Sequence, residues 1–245
     1  MENQRLKLIV NRCRGKRLLM LTTSTRWSGD DELPKSSLLA KEIQNQLPDS
    51  QIIDCTKLKI WECEGNVSSA KGNKCGVRDS AIGENNPTGN IRCWASFNHK
   101  DDELWRVANA IFEADVVIFF ASVRWGQTNA VYQRLIERLT WLENRWTTLR
   151  ETNLLEGKEA GICLVGHNWR GQEVLECQKK VLSYFGFTIP EWLSFNWQWT
   201  EDSTDESKSG YKQDRKDFLS DFQIGPKWLN EDFERWFNQH NENDK

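Results

Sequence analysis

The sequence predicts an α/β protein with a central parallel sheet between layers of helices. Three observations carry that expectation. Apolar runs that suit buried strands alternate with stretches of helical periodicity along most of the chain. The runs at 18–21, 116–121 and 160–165 are continuously apolar, as strands covered on both faces are. Each run ends in a polar or glycine-bearing loop that leads into a helix, the strand–loop–helix order of a parallel sheet.

Taken in order, Leu18-Leu19-Met20-Leu21 reads as the first strand, running into Thr22-Thr23-Ser24-Thr25. Pro34 then precedes Ser36-Ser37, and Leu38, Leu39, Ile43 and Leu47 recur at helical spacing. Proline suits such a helix start and serine can cap it. Ile52-Ile53 is a short second strand. Residues 55–100 show little periodicity and many Gly, Asn and Ser, a long excursion of the kind that is functional or disordered. Asp101-Asp102 suits a helix cap before Leu104, Val107, Ala108, Ile111 and Phe112.

Val116 to Ala121 is the clearest strand, followed by a loop from Ser122 to Thr128 and an amphipathic helix with Val131, Leu135, Ile136, Leu139 and Leu142. Ala160 to Val165 is another buried strand, and the helix after it stops before Gly186. A last strand falls within 189–197 despite Pro190, and Thr200 to Lys216 reads as a solvated flap. Trp228, Leu229, Phe233, Trp236 and Phe237 suggest a short C-terminal helix docking back. The 245 residues thus read as a single domain, with a core over about 17–199, an insertion over about 55–100 and a C-terminal extension over about 200–245.

The formal net charge of −3 argues against nucleic acid as a partner, because phosphate binding needs a basic surface. No apolar run approaches the roughly 20 residues of a membrane helix. The N-terminal stretch lacks the apolar core and cleavage site of a signal peptide, so the expected location is the cytoplasm. An odd count of seven cysteines does not suggest a disulfide scaffold. The 13 tryptophans suggest aromatic walls around a planar ligand, a partner surface or a tryptophan-rich core.

In open α/β sheets, ligands sit beyond the carboxyl ends of the strands. Three loops fall there. The first, with Thr23, Ser24 and Arg26 and continuing to Ser36 and Ser37, gathers hydroxyls and a guanidinium ahead of a helix start, the makings of an anion site. It lacks dinucleotide and P-loop glycines, which leaves a phosphate monoester. The second, Ser122-Val123-Arg124-Trp125-Gly126-Gln127, offers an aromatic ring to stack on a flat ligand and backbone N–H groups near Gly126. The third brackets His167 and Asn168 with Gly166 and Gly171, and His167 suits a ring-edge donor or proton relay. Each loop also has a plainer reading: a polar turn with a cap, a helix start capped by Asn129, and a structural histidine.

Over Leu18 to Gly186, about two thirds of the chain, the pattern resembles the NADPH-dependent FMN reductase and flavodoxin-like oxidoreductase family. The first loop of that family reads Gly-Ser-x-Arg with later serines, and Thr23-Ser24-Thr25-Arg26 and Ser36-Ser37 match it. The second reads Thr-Pro-x-Tyr-Trp-Gly, then a helix with a lysine and an Asp-Arg pair. Ala121-Ser122-Val123-Arg124-Trp125-Gly126 and Glu137-Arg138 match, with Ser122 in place of proline, Arg124 in place of the aromatic residue and Gln133-Arg134 where a lysine is usual.

The resemblance implies a flavodoxin-like three-layer sandwich with strand order 2-1-3-4-5. It also implies FMN, with phosphate on the first loop and ring between the second and third, and NAD(P)H as co-substrate. The implied partner is a small-molecule electron acceptor such as a quinone or flavin. It further implies a possible homodimer, for which Trp141 and Trp146 are surface candidates, with core packing the equal alternative for Trp141. An electron carrier and an interaction protein that has lost FMN are the alternatives. No catalytic side chain is singled out, because the flavin carries the chemistry.

Cys55, Cys63, Cys75 and Cys93 fall in the excursion, where some relatives of this superfamily carry an iron–sulfur cluster. No two of them have the two-residue spacing that clusters and structural zinc favour. They are therefore expected to be structural thiols, with neither a metal nor an iron–sulfur cluster expected.

Overall fold

The computed structural model describes residues 4–25, 34–77, 82–166 and 170–198. Its strands are β1 (Leu18–Thr22), β2 (Gln51–Asp54), β3 (Val116–Arg124), the two-residue β4 (Gln127–Thr128), β5 (Glu159–Gly166) and β6 (Phe195–Gln198). Its helices are α1 (Gln4–Cys13), α2 (Lys35–Gln46), α3 (Trp94–Asn98), α4 (Leu104–Glu113), α5 (Ala130–Thr147) and α6 (Gly171–Phe185). The five main strands pair in parallel in the order β2-β1-β3-β5-β6, with β4 folded back antiparallel on the end of β3. With that hairpin set aside, this is the expected order.

Period-two alternation divides the strands between two cores. Leu18, Met20, Val116, Ile118, Phe120, Cys163, Val165 and Phe195 face α1 and α2. Leu19, Leu21, Val117, Phe119, Ala121, Ile162 and Leu164 face α4, α5 and α6. Both faces of β3 are therefore buried, which is why its sequence is continuously apolar.

Four local expectations are corrected. The mixed charges ahead of the first strand suggest no element there, yet Leu6, Ile9, Val10 and Cys13 form the buried stripe of α1 at i, i+3, i+4 and i+7 spacing. The final strand is shorter than 189–197, because Pro190 has no N–H to give and Glu191–Leu193 makes a 3₁₀ turn first. The loop expected at 122–128 is largely hairpin, with Val123 paired to Thr128 and Arg124 to Gln127. Asp102 is not a cap: α4 starts after Glu103 with no side-chain cap bond, and Asp102 turns inward to Arg138. The extension from 200 onward, with its expected helix, lies outside the described residues.

The excursion runs along α5. Arg134, Arg138, Trp141 and Arg145 recur at helical spacing, and three of them bond to it. Arg134 donates to the Ile60 carbonyl, and Arg145 to the Asn90 carbonyl and to Glu151, which also takes Arg92. Arg138 is fully buried and all five of its N–H groups are used: Nε to Cys93 Sγ, Nη1 to Trp61 O and Asp102 Oδ1, Nη2 to Ser96 Oγ and Asp102 Oδ2. Burial opposes the charge on Asp102, but the Arg138 hydrogen bonds and charge, with Ser96 and the Trp61 N–H, hold its carboxyl below the usual range. Trp141 is fully buried and edge-on to Phe112, so it is core and not a pairing surface. Trp146 donates its indole N–H to the Tyr184 carbonyl.

Candidate functional site

The sheet order reverses around β1: the chain leaves β1 for β2 on one side and returns with β3 on the other. A crevice opens at such a switch point, at the carboxyl ends of the strands. The loops after β1, β3 and β5 meet there.

At the end of β1, the Thr23 N–H continues the ladder by donating to Phe120 O at 3.1 Å. Thr23 is fully buried, its hydroxyl lying 2.8 Å from Phe120 O and 3.2 Å from Asn129 Oδ1. Ser24 is half-buried and accepts from the Ser36 hydroxyl at 3.0 Å, which ties the first loop to the start of α2. Ser36 is buried and Ser37 half-buried. Neither caps α2, whose cap position is Pro34. The serine expected to cap thus faces the first loop.

The second loop is a tight hairpin. Its two turn residues, Trp125 at φ 49° and Gly126 at φ 67°, both have left-handed backbone, as a two-residue turn of the primed type requires. Glycine takes that conformation freely; tryptophan does so at a cost of about 1–3 kcal/mol. The turn lifts the Trp125 side chain to the rim, where it is 89% exposed. Arg124 and Gln127 flank it and are exposed, while Ser122 is half-buried and Val123 buried.

The third loop leaves β5 at Gly166. A Cβ there would lie 2.7 Å from Val123 Cβ, so the absence of a side chain lets the second and third loops close together. Arg170, also left-handed at φ 58°, precedes buried Gly171 at the start of α6. Its stem packs on the hairpin, and a Cβ on Gly126 would sit 3.1 Å from Arg170 Cδ. Two of the three non-glycine left-handed residues among the described residues, Trp125 and Arg170, thus lie at this one edge.

The structure brings together Thr23, Ser24, Ser36, Ser37, the 122–127 hairpin, Gly166 and Gly171. Arg26, His167 and Asn168 lie outside the described residues. Sequence reasoning missed Asn129 and Arg170. Asn129 looked like a helix cap, and it does hold the cap position of α5, but its side chain makes no cap bond. It spans to the first loop instead. Nothing in the sequence spacing pointed to Arg170.

Among the described residues, no group of three or more His, Cys, Asp and Glu is placed to hold a metal ion. None of the seven cysteines, all among the described residues, forms a disulfide, and burial pushes the Cys55 and Cys75 thiols up to about 12 and Cys13 to about 11. Such thiols stay protonated and unreactive near neutral pH. No described helix is long and apolar enough to cross a membrane.

Fold and edge together define a flavodoxin-like α/β protein, with a long insertion after β2. Among solved structures, the chain is similar to RosB with a bound intermediate, 8-demethyl-8-formylriboflavin-5'-phosphate, at TM-score 0.56 and 13% identity, over 86% of this chain and 77% of that one. It is also similar to the azoreductase AzrA, at TM-score 0.51 and 12% identity, over 84% of this chain and 97% of that one. At these identities the likeness is one of fold. No protein-family model and no curated protein matches the sequence.

Proposed function

We propose that this chain is an FMN-binding flavoprotein that takes reducing equivalents from NAD(P)H and passes them to a small acceptor such as a quinone or a flavin. The observation that carries the reading is the convergence of three chemically distinct loops at the switch point: a hydroxyl pair at a helix start, an exposed indole on strained backbone, and a glycine-closed third loop. A solved structure of the same fold, RosB, holds a riboflavin 5'-phosphate derivative.

The residues fit the group. Ser24, Ser36 and Ser37 stand beside the start of α2, where backbone N–H groups without helical partners favour a phosphate; in the sequence Arg26 follows Ser24 by two residues. Trp125 offers a ring face for the isoalloxazine. Ser122 to Gln127 and the two described glycines of the third loop, Gly166 and Gly171, would flank that ring. Bound flavin supplies the hydride and electron chemistry. The chain's own part would be to hold the phosphate at the first loop and the ring beside Trp125.

A cytoplasmic location and pairing with a second copy belong to the same proposal, the pairing tested by light scattering on the purified chain. The cofactor is tested by absorbance of the protein as purified, and again after adding FMN and desalting. Retained flavin bands followed by NAD(P)H consumption on adding a quinone support an oxidoreductase. Retained flavin without NAD(P)H consumption leaves an electron carrier. A colourless protein that releases added FMN overturns the reading and leaves a flavodoxin-like scaffold.

A further inference from the structure

We infer that Asn129 is a positioning residue that fixes the spacing between the phosphate-binding and ring-binding halves of this site, so that the site selects a flavin carrying phosphate over one without it. The inference rests on the FMN reading above and deepens it.

The argument begins with the backbone. The β1–β3 ladder has its last paired residues at Thr22 and Phe120, with one further bond from the Thr23 N–H to Phe120 O. Beyond it the two chains separate into the first and second loops. The next groups, Thr23 O and the Ser122 N–H, face a gap that buried backbone polar groups do not tolerate unpaired.

The Asn129 side chain fills that gap. Its Nδ2 donates to Thr23 O at 2.7 Å, and its Oδ1 accepts from the Ser122 N–H at 3.0 Å. The Thr23 hydroxyl lies 3.2 Å from the same Oδ1. One side-chain amide therefore acts as an extra peptide unit between two diverging strands. Its width sets how far apart the loops start. The residue is 7% exposed and anchored at both ends of its own backbone: its N–H donates to Ser122 O and its carbonyl accepts from Gln133.

A second observation points the same way. Asparagine at a helix cap position ordinarily bonds the first turn, worth about 1 kcal/mol. Asn129 holds that position on α5, an 18-residue helix, and makes no such bond. The amide is committed to the bridge instead.

A ligand with phosphate and ring on one short chain engages both loops only if their separation matches its own; the second contact is then nearly intramolecular. A ligand lacking the phosphate uses one loop and is indifferent to the spacing. Loss of the bridge should therefore weaken FMN and spare riboflavin. Asn129→Asp is the sharp variant. It keeps size and acceptor, removes the donor to Thr23 O and sets a negative charge against that carbonyl. Asn129→Ala leaves both backbone groups unpaired.

The test titrates the purified full chain and both variants with FMN and with riboflavin by flavin fluorescence. Circular dichroism checks the fold, and hydrogen exchange by NMR follows the Ser122 amide. The expected result is an FMN affinity lower by about tenfold to a hundredfold in Asn129→Asp, a riboflavin affinity within about threefold of wild type, and a Ser122 amide that is protected in wild type, where Asn129 Oδ1 accepts its hydrogen bond, and loses that protection in Asn129→Ala. Equal losses for both flavins, or no loss for FMN, would overturn the inference, as would a Ser122 amide that exchanges freely in wild type. A wild-type chain that binds neither flavin while Ser122 stays protected overturns the FMN reading and the selectivity, and leaves the bridge standing.

Discussion

The seam between the excursion and α5 and the carboxyl edge of the sheet are both rich in arginine and tryptophan, yet they use them in opposite ways. At the seam, Arg138 is buried with every donor paired, and Asp102 receives both of its guanidinium nitrogens, the Ser96 hydroxyl and the Trp61 N–H. At the edge, Arg124, Trp125 and Arg170 are exposed, and two of them sit on left-handed backbone. Saturated polar chemistry in a dry place fixes a structure. The same residue types held outward on strained backbone cost stability and make sense as surface for a ligand.

The largest expected effect lies at the seam. Arg138→Ala or Asp102→Ala leaves a buried charge without its partner and should lower unfolding free energy by about 3–5 kcal/mol, read by urea denaturation. Replacing both by apolar residues of similar volume should recover most of that loss. A loss of under about 1 kcal/mol on single replacement would erase the contrast between the two regions.

Next is Gly126→Ala. The new methyl must take φ 67° and would meet the Arg170 stem at 3.1 Å. We expect a loss of about 1–2 kcal/mol in stability and weaker flavin retention, measured by thermal melting and by desalting after FMN addition. Trp125→Gly relieves the strained backbone, so thermal stability should hold or rise slightly while flavin retention falls. A large drop in stability would show that Trp125 belongs to the core and not to the rim.

Acid titration sharpens the contrast further. The folded-state pKa of Asp102 lies below its unfolded value, so its contribution is present above about pH 4 and is lost as pH falls through the folded value. Asp102→Asn should flatten the decline in stability over that window. The smallest effect belongs to the exposed fork of Arg17 on Asp115, whose hydrogen bonds hold that carboxyl at about 2. Arg17→Ala should raise the Asp115 pKa part of the way towards the ordinary carboxylate range by NMR titration, since the residue-17 backbone N–H still donates to it, with little change in melting temperature, because exposed pairs are screened by water.

By itself the sequence determined the sandwich. Continuous apolar strands, helical stripes and polar loops at strand ends are local patterns, and burial on both faces leaves them one consistent arrangement. The same patterns marked the three loops as the place for a ligand. Tertiary structure alone decided how particular polar residues are spent. Asp102 and Asn129 both look like helix caps in sequence, since short polar side chains ahead of a helix ordinarily bond its first turn. Folding brings Arg138 to the one and the diverging ends of β1 and β3 to the other. A buried guanidinium and two unpaired backbone groups then outweigh the modest gain of a cap. Arg138 lies 36 residues from Asp102, and Thr23, the far end of the Asn129 bridge, lies 106 residues from Asn129, beyond anything local spacing can express.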